Sequence, residues 1–245
     1  MCTLSWWRDG ACCRLLFNRD EQRARGRGRG PRAWTEAGAR TVLAPVDADA
    51  GGWWVGVIDG GLIAGVLTLY PHHPALREGR RCRGRLLLDV LGRAPDAGAA
   101  RELLAMTDPA PYRGFLLFVW DGGVPVLREW DGRDYAEREA PEAAGFGVLV
   151  TSSVRKEACD AYRRELFARC PPGDVAAWRR AHRHHAVRDP ALGPLMERSD
   201  AATDSIAEIA LEGARAEMGF RSVAGAPPRA GPEEWHTLAL RGGGR

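Results

Sequence analysis

The chain has 245 residues, 45% of them apolar and 27% charged, with a formal net charge of +3. That composition supplies a sizeable core and excludes a disulfide-stapled mini-protein; no apolar run approaches 18 residues, which excludes a membrane-spanning helix. The six cysteines show no Cys-x-x-Cys spacing, so a zinc ribbon is excluded, and without an export signal the thiols are expected reduced in a cytoplasmic protein.

Residues 3–7 and 12–17 read as two strands around the turn Arg8-Asp9-Gly10. Residues 18–40 are polar and rich in Gly and Arg, and read as loop. Within them Arg23, Arg25, Arg27 and Arg29 resemble a nucleic-acid-binding segment, but acidic residues are scattered throughout the chain. A flexible solvated loop is therefore expected, and no nucleic-acid partner. Strands at 52–58 and 62–69 flank Asp59-Gly60-Gly61, a strong hairpin signal; Trp53 and Trp54 alternate, one ring toward the core and the other free to line a pocket. His72-His73 follow, at a strand end, and read as a loop near a pocket mouth.

Helical spacing covers 84–93 and 97–106, broken by Pro95-Asp96. A second hairpin joins 115–120 to 124–130, and an apolar strand at 146–151 ends in Thr151-Ser152-Ser153. Helices follow at 154–169, with Cys159, Tyr162, Leu166 and Phe167 near one face, and at 174–184. There His182-Arg183-His184-His185 read as an exposed helix end, with metal or haem binding as the sharper alternative. The C-terminal third holds Ala207 to Ala210, with late strands expected at 215–222 and 234–240 before a frayed tail from Gly242. Hairpins with segregated helices imply an α+β layered domain.

Cys2 is the most informative residue. With Met1 removed, as the small second side chain favours, it would present a thiol and an α-amine on one residue, the amine serving as base to the thiol. A first hairpin brings the end of its second strand, Asn18-Arg19-Asp20-Glu21, back beside residue 2. Arg19 could then polarise the thiol, Asp20 orient the α-ammonium, and Asn18 serve as an oxyanion donor.

The start Met1-Cys2, the strand ending Asn18-Arg19-Asp20-Glu21, Pro31-Arg32-Ala33-Trp34, Gly51-Gly52-Trp53-Trp54-Val55-Gly56, Arg83-Gly84-Arg85-Leu86, Tyr112-Arg113-Gly114-Phe115 and Met196-Glu197-Arg198-Ser199-Asp200-Ala201-Ala202-Thr203 occur in the order of one family. On these motifs the chain resembles the NRDE family, also called transport-and-Golgi-organisation 2, over nearly its whole length. The resemblance implies a four-layer αββα sandwich like that of N-terminal-nucleophile (Ntn) hydrolases, in one domain over residues 1–245. It implies Cys2 as nucleophile with Asn18, Arg19 and Asp20 as its catalytic neighbours, and Trp54, Tyr70, Ser152 and Arg198 at the substrate. The substrate expected is a small-molecule acyl-amide, hydrolysed with no required cofactor. The alternative is a carrier that binds haem or a lipid-like ligand without turnover. Leu69 and Leu116 stand where the family's pattern has asparagine, so two amide groups are missing from it.

Overall fold

A computed structural model describes residues 2–10, 12–35, 40–70 and 81–241. His72, His73 and the tail beyond Arg241 lie outside the described residues. In chain order the strands are β1 (Cys2–Asp9), β2 (Cys12–Gln22), β3 (Arg29–Thr35), β4 (Thr41–Val46), β5 (Val55–Ile58) and β6 (Ile63–Thr68). Helices α1 (Arg83–Arg93) and α2 (Ala97–Ala105) precede β7 (Phe115–Trp120), β8 (Val126–Trp130), β9 (Tyr135–Arg138), β10 (Glu142–Ala143) and β11 (Phe146–Thr151). Helices α3 (Lys156–Ala168) and α4 (Val175–His182) precede β12 (Ala201–Glu212), β13 (Arg215–Ala224), β14 (Arg229–Ala230) and β15 (Glu234–Ala239).

These strands form two antiparallel sheets. One runs β10-β11-β1-β2-β12-β13-β14, with β15 also paired to β13; the other runs β3-β4-β5-β6-β7-β8-β9. Alternation along each strand decides the layering, because successive side chains leave opposite faces. Leu4, Trp6, Leu15 and Phe17 from the first sheet meet Val55, Val57, Ile63, Phe118 and Trp120 from the second, and this is the core between the sheets. The outer face of the second sheet is covered by Leu86, Leu87, Val90 and Leu91 of α1 and Leu104 of α2. That of the first takes Phe167 of α3 and Trp178 of α4 against Leu16, Val148 and Val150. The result is the four-layer αββα arrangement that the family resemblance implies.

Beyond β9, β10, β12 and β14, for which the sequence carries no strand expectation, two stretches differ from the sequence reading. The polar segment 18–40 is not one loop: β2 continues to Gln22, and Arg29–Thr35 is the edge strand β3 of the second sheet. An edge strand needs neighbours on one side only, so arginines and a proline are tolerated there. The Arg-Gly run between them is held in place, with Gly26 N donating to Asp49 Oδ2 and Gly28 N to Asp204 Oδ2. Gly28 packs so tightly that a Cβ there would lie 2.6 Å from the Trp54 ring. The second stretch is β4, which gives no hairpin signal because no tight turn joins it to β5. The hairpin of β5 and β6 does turn where expected, with Gly61 at φ +81°, a conformation that favours glycine.

Candidate active site

Cys2 stands mid-sheet, opposite Thr151 of β11 on one side and Arg19 of β2 on the other. Its nitrogen donates to Thr151 Oγ1 at 3.0 Å. The residue is buried, and its side chain joins the inter-sheet layer at the edge of a cleft of about 270 Å³. The walls include Arg19, Asp20, Glu21, Asp47, Trp53, Trp54, Thr68 and, from the N-terminal end of α1, Arg83 and Gly84. The first hairpin therefore does bring 18–20 beside Cys2, but it does not give the three residues the same outlook.

Arg19 shares the face of the thiol, yet its guanidinium is already committed. It bonds Asp47 Oδ2 at 2.6 Å, Asp204 Oδ2 at 2.8 Å and Glu21 Oε2 at 3.0 Å, and it stacks over Trp54 at 4.7 Å from the ring centre. A cation answered by three carboxylates has little charge left to favour a thiolate. The Cys2 thiol is pushed up, first by burial and further by the charges of Asp20 and Glu21, while the amino-terminal charge and a backbone hydrogen bond from Asp20 oppose the rise. The polarising role expected of Arg19 does not match this placement.

Asp20 turns toward α3. Its Oδ1 accepts from Thr203 Oγ1 at 2.6 Å, and its Oδ2 lies 3.7 Å from Arg163 NH1, both side chains having no exposed surface. That Oδ2 is buried with no hydrogen-bond partner among the described residues. Burial pushes the carboxyl up and Arg163 pulls it down. Asp20 is thus one of the residues around the cleft, with its carboxylate buried between Thr203 and Arg163.

Asn18 is not a free donor. Its amide donates to the carbonyls of His182 at 2.9 Å and Pro194 at 2.8 Å, and its Oδ1 meets His182 Nδ1 at 2.6 Å. Because that oxygen can only accept, Nδ1 carries the imidazole proton and Nε2 accepts from the Ser5 hydroxyl at 2.6 Å; Trp178 Nε1 donates to the same hydroxyl at 2.8 Å. Ser5, His182 and Asn18 have the spacing of a nucleophile triad, but each has 0% exposure. No substrate reaches them. They pin α4 to β1 and β2, and the expected exposed helix end at His182 is instead fully buried at its first residue. The next two histidines are half-buried: His184 Nε2 pairs with the Tyr162 hydroxyl at 2.8 Å, and His185 Nδ1 with the Leu195 carbonyl at 3.1 Å.

The four expected substrate contacts divide. Trp54 lines the cleft and is buried, and its Nε1 has no acceptor among the described residues. Tyr70 has 36% exposure and is not among the residues that line the cleft; desolvation pushes its phenol up, with the Cys2 sulfur adding to the rise and Arg83 opposing it. Ser152 and Arg198 do not line the cleft. The Ser152 hydroxyl closes a turn with the Val154 carbonyl, and Arg198 clasps Asp200 and Ser153. Leu69 and Leu116 pack on the inter-sheet core.

Two residues of the site carry no sequence expectation: Thr151, which holds the Cys2 nitrogen, and Arg83, in the wall of the cleft. Arg163 carries none either, although its signal is present. Cys159, Arg163 and Phe167 fall at the four-residue spacing of one helix face, and all three are buried. Gly84 marks the close approach that seats α1 on the cleft. A Cβ there would lie 2.7 Å from the Trp53 carbonyl oxygen and 2.8 Å from its nitrogen, both backbone atoms. Gly84→Ala should therefore lower stability by about 1–3 kcal/mol in urea titrations, a loss that an open site would not show.

Comparison with solved structures gives the same architecture. A Caenorhabditis elegans N-acylethanolamine-hydrolyzing acid amidase ortholog is 12% identical with a TM-score of 0.58, covering 84% of this chain and 92% of its own. Two variants of the conjugated bile acid hydrolase from Clostridium perfringens are 12% and 13% identical, both with TM-scores of 0.53 and covering 98% of this chain and 97% of theirs. The fold is that of the Ntn hydrolases. No curated protein sequence matches. The family model described as "Transport and Golgi organisation 2" matches residues 1–153, more than half of the chain, and the chain belongs to that family.

Proposed function

We propose that the protein is an Ntn amidohydrolase of non-peptide linear amides, with Cys2 as nucleophile once Met1 has been removed. The observation that carries this reading is the setting of Cys2. Its nitrogen is held by Thr151 Oγ1, its thiol borders the cleft, and Asp20, with its carboxylate held by Thr203 and Arg163, borders the same cleft. Two structural neighbours are named as an N-acylethanolamine-hydrolyzing acid amidase and a conjugated bile acid hydrolase, which supports an amide as substrate.

The chemistry follows from the protonation states. Burial keeps the thiol protonated, so a standing thiolate is not the starting state. The proton must leave as the sulfur attacks, and the α-amine on the same residue is the base at hand. Thr151 and Asp20 orient that amine. Sulfur bonds to the amide carbon and the carbonyl π electrons move to oxygen, where donors from the cleft wall would hold the charge. Collapse expels the amine, which takes the proton from the α-ammonium, and water then releases the acyl group from sulfur.

In a panel of N-acyl amides, Cys2→Ala should reduce turnover by about a thousandfold or more. Turnover unchanged in that variant, or full turnover by protein whose intact mass retains Met1, would overturn the reading. A carrier holding a haem- or lipid-like ligand without turnover is the second reading, favoured by the protonated thiol. The cleft suits a small ligand better than haem: about 270 Å³ is at the small end of ligand sites, and a protonated thiol is a poor iron ligand. The carrier predicts ligand binding that survives Cys2→Ala with no product formed by either protein.

A further inference from the structure

Resting on the reading that this cleft takes an amide, we propose that the amide carries an anionic group, a carboxylate or sulfonate, a few bonds from its scissile C–N bond. Arg83, with Arg81 and Arg113, forms the subsite that recognises it.

The two walls of the cleft differ in how their charges are answered. On the β2 side each cation has carboxylates. Arg19 bonds Glu21, Asp47 and Asp204, and Arg25 NH2 reaches both oxygens of Asp47 at 2.8 Å. On the α1 side Arg81, Arg83 and Arg113 line the same cleft, and among the described residues none of the three forms an ion pair. Arg83 donates to the Gly114 carbonyl at 3.2 Å, a neutral acceptor that leaves its charge unanswered. Burying an unanswered guanidinium is unfavourable, and its pKa is held below the usual arginine value, chiefly by burial.

The negative groups that act on Arg83 are the Tyr70 phenol and the Cys2 and Cys82 thiols, followed by Glu21. Tyr70 and Cys2 are both pushed up, so both are neutral near pH 7 and supply no standing anion. The helix end adds to the same wall. The eleven-residue α1 has no acidic residue in its first turn, and Cys82 at its cap gives no side-chain hydrogen bond. Its N-terminal N–H groups thus add partial positive charge beside the guanidinium. A ligand anion satisfies all of these groups at once. Because Cys2 and Arg83 line the same cleft, that anion lies near the scissile bond and not at the far end of an acyl chain.

The test uses the full chain carrying Cys2→Ala, so that binding is read without turnover, and follows tryptophan fluorescence or calorimetry. The probes are N-decanoylglycine, N-decanoyltaurine and the neutral N-decanoylglycinamide. At least one anionic probe should bind about tenfold or more tighter than the neutral one, with the preference shrinking as salt rises. The better of the two anions tells carboxylate from sulfonate. Arg83→Gln should remove most of the preference, Arg83→Lys should keep part of it, and Arg93→Gln, at the far end of α1, should leave it unchanged. Arg113→Gln, on an exposed side chain, provides the same test if Arg83→Gln fails to fold. Equal affinity for all three probes, binding by none, or a Gln variant that weakens neutral and anionic probes alike overturns the subsite. Turnover in the Cys2 protein is scored separately with all three probes. Charge preference without turnover sinks the hydrolase reading alone, and turnover without charge preference sinks the anion subsite alone.

Discussion

Arg163→Met should lower the free energy of unfolding by about 3–5 kcal/mol, whereas Arg164→Met on the next residue should change it by about 0.5 kcal/mol or less. The two arginines share a helix and differ in what they answer. Arg164 pairs with Asp160 one turn away, with both side chains well exposed. Arg163 has no exposed side-chain surface, and its five N–H groups reach Thr3 Oγ1 at 2.5 Å and the carbonyls of Leu192 and Gly193 at 2.9 and 2.7 Å, with Asp20 Oδ2 at 3.7 Å. Methionine fills similar space but leaves those acceptors without donors and Asp20 as a buried carboxylate with no cation beside it, held only by Thr203. Asp20 is already raised by burial and would lose the strongest group that lowers it. A carboxyl whose folded pKa is raised contributes stability below its unfolded pKa and loses it as pH rises through the folded value. The deficit of Arg163→Met should therefore shrink between pH 7 and pH 5, and adding Asp20→Asn should recover part of it at pH 7. Urea titrations of the four proteins at both pH values decide the matter. Equal losses for Arg163→Met and Arg164→Met would show that Arg163 holds nothing.

The parts of this fold that the sequence discloses are those set by local pattern. Both Asp-Gly-Gly and Asp-Gly hairpins, all four helices to within about two residues, and the strand before Thr151 follow from periodicity and turn chemistry. The meeting of Cys2 with Arg19 follows too, since a two-strand ribbon with its turn near Gly10 fixes the register. The same register held a further consequence. If Cys2 faces Arg19, Asn18 must leave the opposite face, toward the helices, and cannot serve the thiol. What lies beyond local pattern is partnership across the chain. Arg19 is answered by Asp47 and Asp204, 28 and 185 positions away, and nothing in Asn18-Arg19-Asp20-Glu21 announces them. Likewise β3 looks like loop because its stability comes from β4 beside it and not from its own residues. A short motif therefore locates the candidate site but not the charge state of its members.

His182 carries the second large expectation, and here pH is the variable. Its imidazole is fully buried, and burial, with Arg163 adding to it, pushes it down to about 3 from an ordinary value near 6.5. The neutral ring is the one that fits, with Nδ1–H on Asn18 Oδ1 and Nε2 accepting from Ser5. A group whose folded pKa is depressed contributes stability that is complete above its unfolded pKa and is lost as pH falls toward the folded value. The window is thus about pH 6.5 to 3, with a slope of about 1.4 kcal/mol per unit. His182→Gln has no imidazole to protonate. At pH 7 it should be less stable than the parent by about 1–3 kcal/mol, because Ser5 and Asn18 lose well-placed partners. By pH 4 the parent should have given up about 3 kcal/mol that the variant keeps, so the two stability curves converge and cross. Asp20 changes in the opposite sense on acidification, but it is present in both proteins and cancels in the difference. Urea titrations from pH 7 to pH 4 measure that difference directly. A gap that stays constant over this range would mean that His182 is protonated inside the fold, and the Ser5–His182–Asn18 clamp would then need a different arrangement of protons.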